Sequence, residues 1–245
     1  DYTHNGAEGW VLKCDIHHYF PSIRHDVAKA AICKRIKDRE IAARACEIVD
    51  SFGEIGIGLG SQVSQLVALA VLDDLDHYIK ERLRVKHYVR YMDDFVLIHP
   101  DKEFLKRCKT EIEQFLTGIG LELNKKTSLY PLRQGVKMLQ WKFVLTNSGR
   151  ILRKMSKKKQ GRQRRKLKKL YEKEQSGEYA QGTARESLVS WLANAARGDT
   201  YHEQRKMIKL KFGQTINTFM IQQKLNRLAK MKDLQHTLVI VVIVI

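Results

Sequence analysis

The stretch "HYVRYMDDFVLIHP", residues 87–100, constrains this chain more than any other. Two runs of β-branched and aromatic residues flank a very short polar connection, and runs joined so closely pair as an antiparallel hairpin. The turn then carries Asp93 and Asp94 at its tip, between flanks apolar enough to be buried. Paired aspartates are ordinary turn chemistry. They also repel one another unless a cation sits between them, and Mg²⁺ suits that place because it takes one or two carboxylates and completes its shell with substrate phosphates.

A pair of ions about 3.5–4 Å apart needs a further carboxylate from elsewhere in the chain. Asp15 offers it, closing the apolar strand-type run "GWVLKCD" that ends on aromatics in "IHHYF". Between Asp15 and the hairpin lies "GEIGIGLGSQ", with glycines at 53, 56, 58 and 60, which reads as a loop where backbone passes close to something or takes positive φ.

The remaining pattern frames these elements. "SIRHDVAKAAICKRI" reads as a helix with Ser22 as N-cap, and a second helix follows over 40–52. Residues 62–84 have the length and period of a half-buried helix, 102–119 read as another, and short strands fall around "VKMLQWKFVL". The order is that of an α+β fold, an antiparallel sheet layered with helices. Beyond Asn147 the composition changes. Residues 150–174 hold thirteen Lys or Arg against two Glu, and the pattern to about Met231 is helical without strand signals, so a boundary falls near 146–150 with a basic helical module after it.

A net charge of +18 favours a polyanionic partner, and 43% hydrophobic residues with three prolines argue against disorder. Cys14, Cys33, Cys46 and Cys108 lack the paired spacing of zinc sites and read as reduced, buried thiols of a cytoplasmic protein. The tail "TLVIVVIVI" is about half the length of a membrane span and reads as a strand, prone to aggregate if exposed; no membrane partner is expected.

On these residues the chain resembles the reverse transcriptases. "YMDD" at 91–94 is similar to their signature turn and "VLKCDIHHYFPSI" at 11–23 to their first catalytic strand. The likeness continues in order through "GLGSQVSQLVALAVLDDLD" (58–76), "GIGLELNKKT" (118–127) and "VKMLQWKF" (136–143). It implies a right-hand palm over 10–147 and an all-helical basic thumb with the tail over 148–245, with residues 1–9 a remnant of the fingers. It also implies two Mg²⁺ ions and deoxynucleotide addition to a primer on an RNA template.

Position by position, the resemblance makes Asp15, Asp93 and Asp94 metal ligands, with the Ile16 carbonyl near the second ion. Phe20 falls at the aromatic gate beneath the sugar, although it also reads as core filler. Lys126 falls at the basic residue facing the leaving pyrophosphate, although beside Lys125 it also reads as a solvated lysine. "VKMLQWKF" falls where the family grips the primer and has Gln140 where glycine is usual. In the basic run, Lys154, Lys157, Lys158, Arg162, Arg165 and Lys169 are expected to contact phosphates of a template RNA with its DNA primer, or of their hybrid, against the alternative of a solvated helix face. "SWLANAARGDTYHEQRKM" (190–207) resembles a thumb segment of bacterial relatives.

One departure points to a subclass. Most bacterial relatives carry Gln-Gly followed by Ser-Pro before the long helix, whereas Leu59-Gly60 is followed here by Ser64-Gln65. That form resembles the enzymes of diversity-generating retroelements, which copy a template RNA with errors at adenines; Leu59, Gly60 and Gln65 are therefore expected at the incoming deoxynucleoside triphosphate, and a basic accessory protein becomes a candidate partner. A group II intron-type or abortive-infection enzyme, and a non-catalytic RNA-binding scaffold, are the alternatives.

Overall fold

The computed structural model describes residues 8–208. Its elements run β1 (Trp10–Asp15), α1 (Tyr19–Ser22), α2 (His25–Arg35), α3 (Arg39–Asp50), α4 (Gln62–Val71), α5 (Asp73–His77) with a π-helical turn at Tyr78–Arg82, β2 (His87–Tyr91), β3 (Asp94–His99), α6 (Lys102–Gly118) and β4 (Ser128–Pro131). Then follow β5 (Val136–Met138), β6 (Trp141–Leu145), β7 (Ile151–Met155), α7 (Lys157–Gln175), α8 (Thr183–Ala195) and α9 (Tyr201–Ile208). The α+β class expected from the sequence is present. Two compact units meet in sequence between Leu132 and Arg133, rather than at the composition change near 147.

In the first unit the sheet is antiparallel, in the order β2-β3-β1-β4. Side chains alternate across a strand, so the register of β1 on β3 sorts every residue to a face. Cys14 opposite Phe95 and Leu12 opposite Leu97 face the helices, where they join Leu105, Cys108, Ile112 and Leu116 of α6, Ala28 and Ile32 of α2, and Val67, Ala68 and Val71 of α4 in one core. The 3- and 4-residue spacing along α6 is what brings one stripe of that helix onto the sheet. Val11, Lys13 and Asp15, opposite Ile98, Val96 and Asp94, occupy the other face. The helices of this core thus lie on the opposite side of the sheet from the carboxylates, whose own face also buries Val11 and Val96.

The second unit builds a three-stranded antiparallel sheet, β5-β6-β7, and packs α7 against α8 around Leu167, Leu188, Trp191, Leu192, Ala195 and Met207. Its sheet runs straight across 147. Strand β7 occupies 151–155, where the sequence pattern calls for helix, because the charge change that marks 147 describes which residues face solvent and not which backbones pair.

Other expectations are corrected in detail. Ser22 does not cap a long helix: it ends α1, Ile23 is extended, and Arg24 precedes α2. The N–H of Gly56 donates to Ile23 O and that of Ile57 to Phe20 O, which holds this segment against the glycine loop. The half-buried helix over 62–84 is interrupted at Leu72, whose ψ is 4°. Of the four cysteines, all free, Cys14 and Cys108 are buried, whereas Cys33 is exposed and Cys46 half-buried. Among the described residues no helix is long and apolar enough to cross a membrane. The tail and most of the fingers remnant lie outside the described residues.

Candidate active site

Strand register brings the three aspartates together. Asp15, the last residue of β1, pairs directly with Asp94, the first of β3. Tyr91 also pairs with Asp94, so the hairpin turn consists of Met92 and Asp93 alone, and Asp94 lies one residue inside the strand rather than at the tip. Met92 takes φ 55°, a left-handed conformation uncommon for a bulky residue and suited to a two-residue hairpin turn. The Ile16 N–H reaches the Asp93 carbonyl at 3.3 Å and fastens the end of β1 to the turn. On the other side, the Asn124 N–H donates to the Asp15 carbonyl at 2.7 Å and the His17 N–H to Glu122 at 2.8 Å, bracketing an isolated bridge between Ile16 and Leu123.

The electrostatics are those of an anionic face that Lys13 compensates only in part. Burial first, then the charges of Asp15 and Asp94, raise the Asp93 carboxyl above the usual carboxylate range. Burial raises Asp94 as well, partly offset by Lys13, whose Nζ donates to Asp94 Oδ2 at 2.9 Å. That contact is the diagonal one that same-face residues two apart on paired strands can make. Asp94 Oδ1 is buried and accepts no hydrogen bond among the described residues. A buried carboxylate oxygen without a partner is costly, and a divalent cation relieves both that cost and the mutual repulsion. Among the described residues no group of three or more His, Cys, Asp or Glu is arranged as a ready-made metal site.

Residues that pattern reading passed over position this turn. Arg90, in the middle of an apolar strand, buries its guanidinium against Asp76 of α5: Nε donates to Oδ1 at 2.7 Å and Nη2 to Oδ2. Burial lowers the Arg90 pKa, and the bonds and charge of Asp76 outweigh it, leaving the group raised. Its Nη1 donates to the Met92 carbonyl at 3.1 Å, and Tyr88 Oη donates to Asp76 at 2.6 Å. Tyr19 Oη donates to the Ala68 carbonyl, tying the segment after Asp15 to α4. An arginine inside a strand was the available signal, but its acid lies fourteen residues upstream on another element.

The other expected residues lie around the glycine loop and the α6–β4 connection. Phe20 is half-buried against the core and edge-on to Tyr19. Leu59 is 76% exposed, Gly60 takes φ 94° with open space around it, and Gln65 is exposed on α4. Gly56 cannot carry a side chain, since a Cβ would come within 2.8 Å of the Pro21 carbonyl oxygen. Lys126 is exposed in a turn shaped by the Asn124 side chain, which accepts its N–H at 3.1 Å, and its ammonium has no partner among the described residues. Of the basic run, Lys154 is on β7, and Lys157, Lys158, Arg162, Arg165 and Lys169 are exposed along α7.

A family model described as reverse transcriptase (RNA-dependent DNA polymerase) matches residues 2–163. The chain belongs to this family. Among solved structures, apo telomerase from Candida tropicalis aligns over 92% of this reverse transcriptase chain and 44% of its own, with 13% identity and a TM-score of 0.51. Telomerase from Candida albicans, solved with a fragment of telomeric RNA, aligns over 94% and 46% with 13% identity and a TM-score of 0.49. At such identity the first likeness speaks for the polymerase fold alone. The chain spans less than half the length of these telomerase chains. No curated protein matches it in sequence.

Proposed function

We propose that this reverse transcriptase chain supplies the palm, over 10–147, and the start of the thumb of a cytoplasmic RNA-directed DNA polymerase, with Asp15, Asp93 and Asp94 and the Ile16 carbonyl holding two Mg²⁺ ions. The observation that carries this reading is the pairing of Asp15 with Asp94 beside Asp93, with one buried carboxylate oxygen lacking a partner among the described residues. When bound there, the ions supply neutralisation of the triphosphate and activation of the primer 3′-OH. The chain's own part is placement: Arg90 fixes the turn, Lys13 pairs with Asp94, Phe20 would bar a 2′-OH, and Lys126 would meet the pyrophosphate. The substrates are deoxynucleoside triphosphates and a primer on template RNA, with α7 meeting phosphates. Asp93→Asn with Asp94→Asn in the complete enzyme should abolish primer extension on an RNA template; extension that persists would overturn the assignment.

A finer reading places the enzyme in a diversity-generating retroelement, where a basic accessory protein is a further partner. Leu59, the most exposed large apolar residue of the glycine loop, supports it: a side chain without hydrogen-bonding groups cannot report a misplaced base through an unpaired polar partner. Gln65 restores, at the second turn of α4, an N–H that donates to Ser61 O at 3.2 Å. Losing about 1–3 kcal/mol of discrimination amounts to roughly 5- to 150-fold more misincorporation. Leu59→Gln, alone and with Gln65→Pro, should lower errors opposite adenine while synthesis continues, read by sequencing the cDNA. An unchanged error spectrum in both variants would remove this subclass.

A further inference from the structure

The glycine loop between α3 and α4 is fastened at its stem and free at its tip. At the stem, the N–H of Gly56 donates to Ile23 O and that of Ile57 to Phe20 O, both at 2.9 Å, which ties the loop to the segment after β1. A third bond comes from a side chain. His25, the first residue of α2, brings Nε2 within 2.8 Å of the Gly56 carbonyl oxygen. A carbonyl can only accept, so Nε2 carries a proton in this arrangement. The imidazole is well seated for the bond: its side chain is 14% exposed, and Nδ1 lies 3.7 Å from Asp50 Oδ1 of α3, a carboxylate that Lys29 of α2 also pairs with at 2.5 Å. Phe52, just beyond α3, packs on the loop at Gly58, where a Cβ would come within 2.5 Å of its ring.

Beyond this stem the restraint stops. Leu59 stands out into solvent and Gly60 has open space around it, whereas Ile57, two residues before Leu59, is only 4% exposed. The position of the tip is therefore inherited from the stem. Leu59 and Gly60 are the residues expected at the incoming deoxynucleoside triphosphate, and the Ile57 bond runs to Phe20, the residue expected beneath its sugar. Loop and gate thus form one hydrogen-bonded unit, with His25 as a side-chain anchor. A loop released from that anchor samples arrangements in which its tip is misplaced. Only the competent fraction takes up nucleotide, so apparent affinity falls by that fraction while the chemistry of a bound nucleotide is unaltered.

We infer that His25 is a positioning residue for nucleotide binding: through the Gly56 carbonyl it holds the loop that presents Leu59 and Gly60 to the incoming deoxynucleoside triphosphate. The inference rests on the polymerase reading and adds to it a residue that touches neither substrate nor metal. His25→Phe in the complete enzyme keeps the ring and removes the donor. It should raise KM for the deoxynucleotide about fivefold or more, the scale of one hydrogen bond lost to a buried carbonyl, with kcat and the affinity for primer–template essentially unchanged. His25→Gln, whose amide nitrogen reaches about as far as Nε2, should restore most of the KM, which separates the bond from mere packing. Hydrogen exchange supplies a readout that needs neither nucleotide nor metal: the Gly56 and Ile57 amides should exchange faster in His25→Phe and close to the wild-type rate in His25→Gln. Gly56→Ala, which sets a Cβ against the Pro21 carbonyl oxygen, opens the same stem without touching His25 and should raise KM in the same way. An unchanged KM in His25→Phe, or a raised KM without faster exchange at 56 and 57, would overturn the inference while continued templated synthesis upholds the polymerase reading. Wild-type enzyme that incorporates no deoxynucleotide would sink both.

Discussion

Two hairpin turns of the same size carry the chain's two charged sites. Met92–Asp93 joins β2 to β3 and holds the acids; Leu139–Gln140 joins β5 to β6 and borders a cavity lined by Lys159, Arg162, Lys166 and Arg197. Both force non-glycine residues into left-handed backbone, with φ 55° at Met92, 49° at Leu139 and 75° at Gln140. They differ in what holds them there. A guanidinium whose side chain is 9% exposed grips the first turn from a bidentate pair with Asp76, whereas the second is tied at the surface by Lys159 to Gln140. Strained backbone persists where its surroundings over-determine it, and the anchored turn is the one on which the proposed chemistry depends.

The largest effect separates the two turns by function. Asp93→Asn should lower RNA-templated polymerisation by about 10³-fold or more, the scale of removing several kcal/mol of metal-dependent stabilisation. The same change should make the metal-free protein more stable. Because the folded-state pKa of Asp93 is raised, its contribution to stability is present at low pH and lost as pH climbs from the unfolded value through the folded one, so at neutral pH the ionised carboxyl is a penalty. Removing it should gain on the order of 0.5–2 kcal/mol in denaturant unfolding. A destabilised Asp93→Asn would mean that this turn is built around the charge rather than strained by it.

The next effect tests the anchor itself. Arg90→Met leaves the half-buried Asp76 without its cation but with the Tyr88 hydroxyl still donating to it, a change that should cost about 1.5–3 kcal/mol. Arg162→Gln on α7, which breaks no ion pair among the described residues, should stay within about 0.5 kcal/mol. Similar losses for both variants, measured by chemical denaturation, would erase the distinction between an anchored and an unanchored site.

That distinction also explains what the sequence made legible. The carboxylate site could be read because strand alternation is a period-2 signal and "YMDD" with Asp15 is a colinear motif. The Arg90–Asp76 anchor could not, because a contact between a strand and a helix fourteen residues earlier leaves no periodic trace. Strand β7 was hidden by its own charge: "ILRKM" carries Arg153 and Lys154 on a strand that pairs, among the described residues, with β6 alone, and the basic run that continues into α7 reads as helix throughout. The same run was read as one phosphate-binding face, but helical geometry divides it between that cavity and an open groove, and the tryptophans of the cavity wall, Trp141 and Trp191, come from β6 and α8, distant in sequence.

A smaller effect concerns charge on the outer surface. If Lys157, Lys158, Arg165 and Lys169 each meet a phosphate, neutralising all four should reduce the slope of log affinity against log salt by about 3, since each contact contributes about 0.7–0.9. Filter binding over a salt series measures this directly. An unchanged slope would reduce these residues to a solvated face, leaving the acid turn as the only one of the two regions with a role in nucleic-acid chemistry.

The smallest effect is the strain in the second turn. Gln140 takes φ 75°, and a side chain in left-handed backbone costs about 1–2 kcal/mol, which glycine avoids. Gln140→Gly relieves that cost but adds freedom to the unfolded chain, worth up to about 1 kcal/mol, and loses the surface bond from Lys159. The net gain should therefore be at most about 1 kcal/mol, close to the limit of a denaturant titration. Gln140→Ala sharpens the test, because it loses the same bond while keeping the Cβ and hence the strain. Stability should rank glycine above glutamine and glutamine at or above alanine, with glycine and alanine separated by about 1 kcal/mol. If alanine and glycine prove equal, the left-handed backbone at 140 carries no strain. Met92 and Leu139, one in each hairpin turn, would then be the turn residues left in backbone that their side chains disfavour.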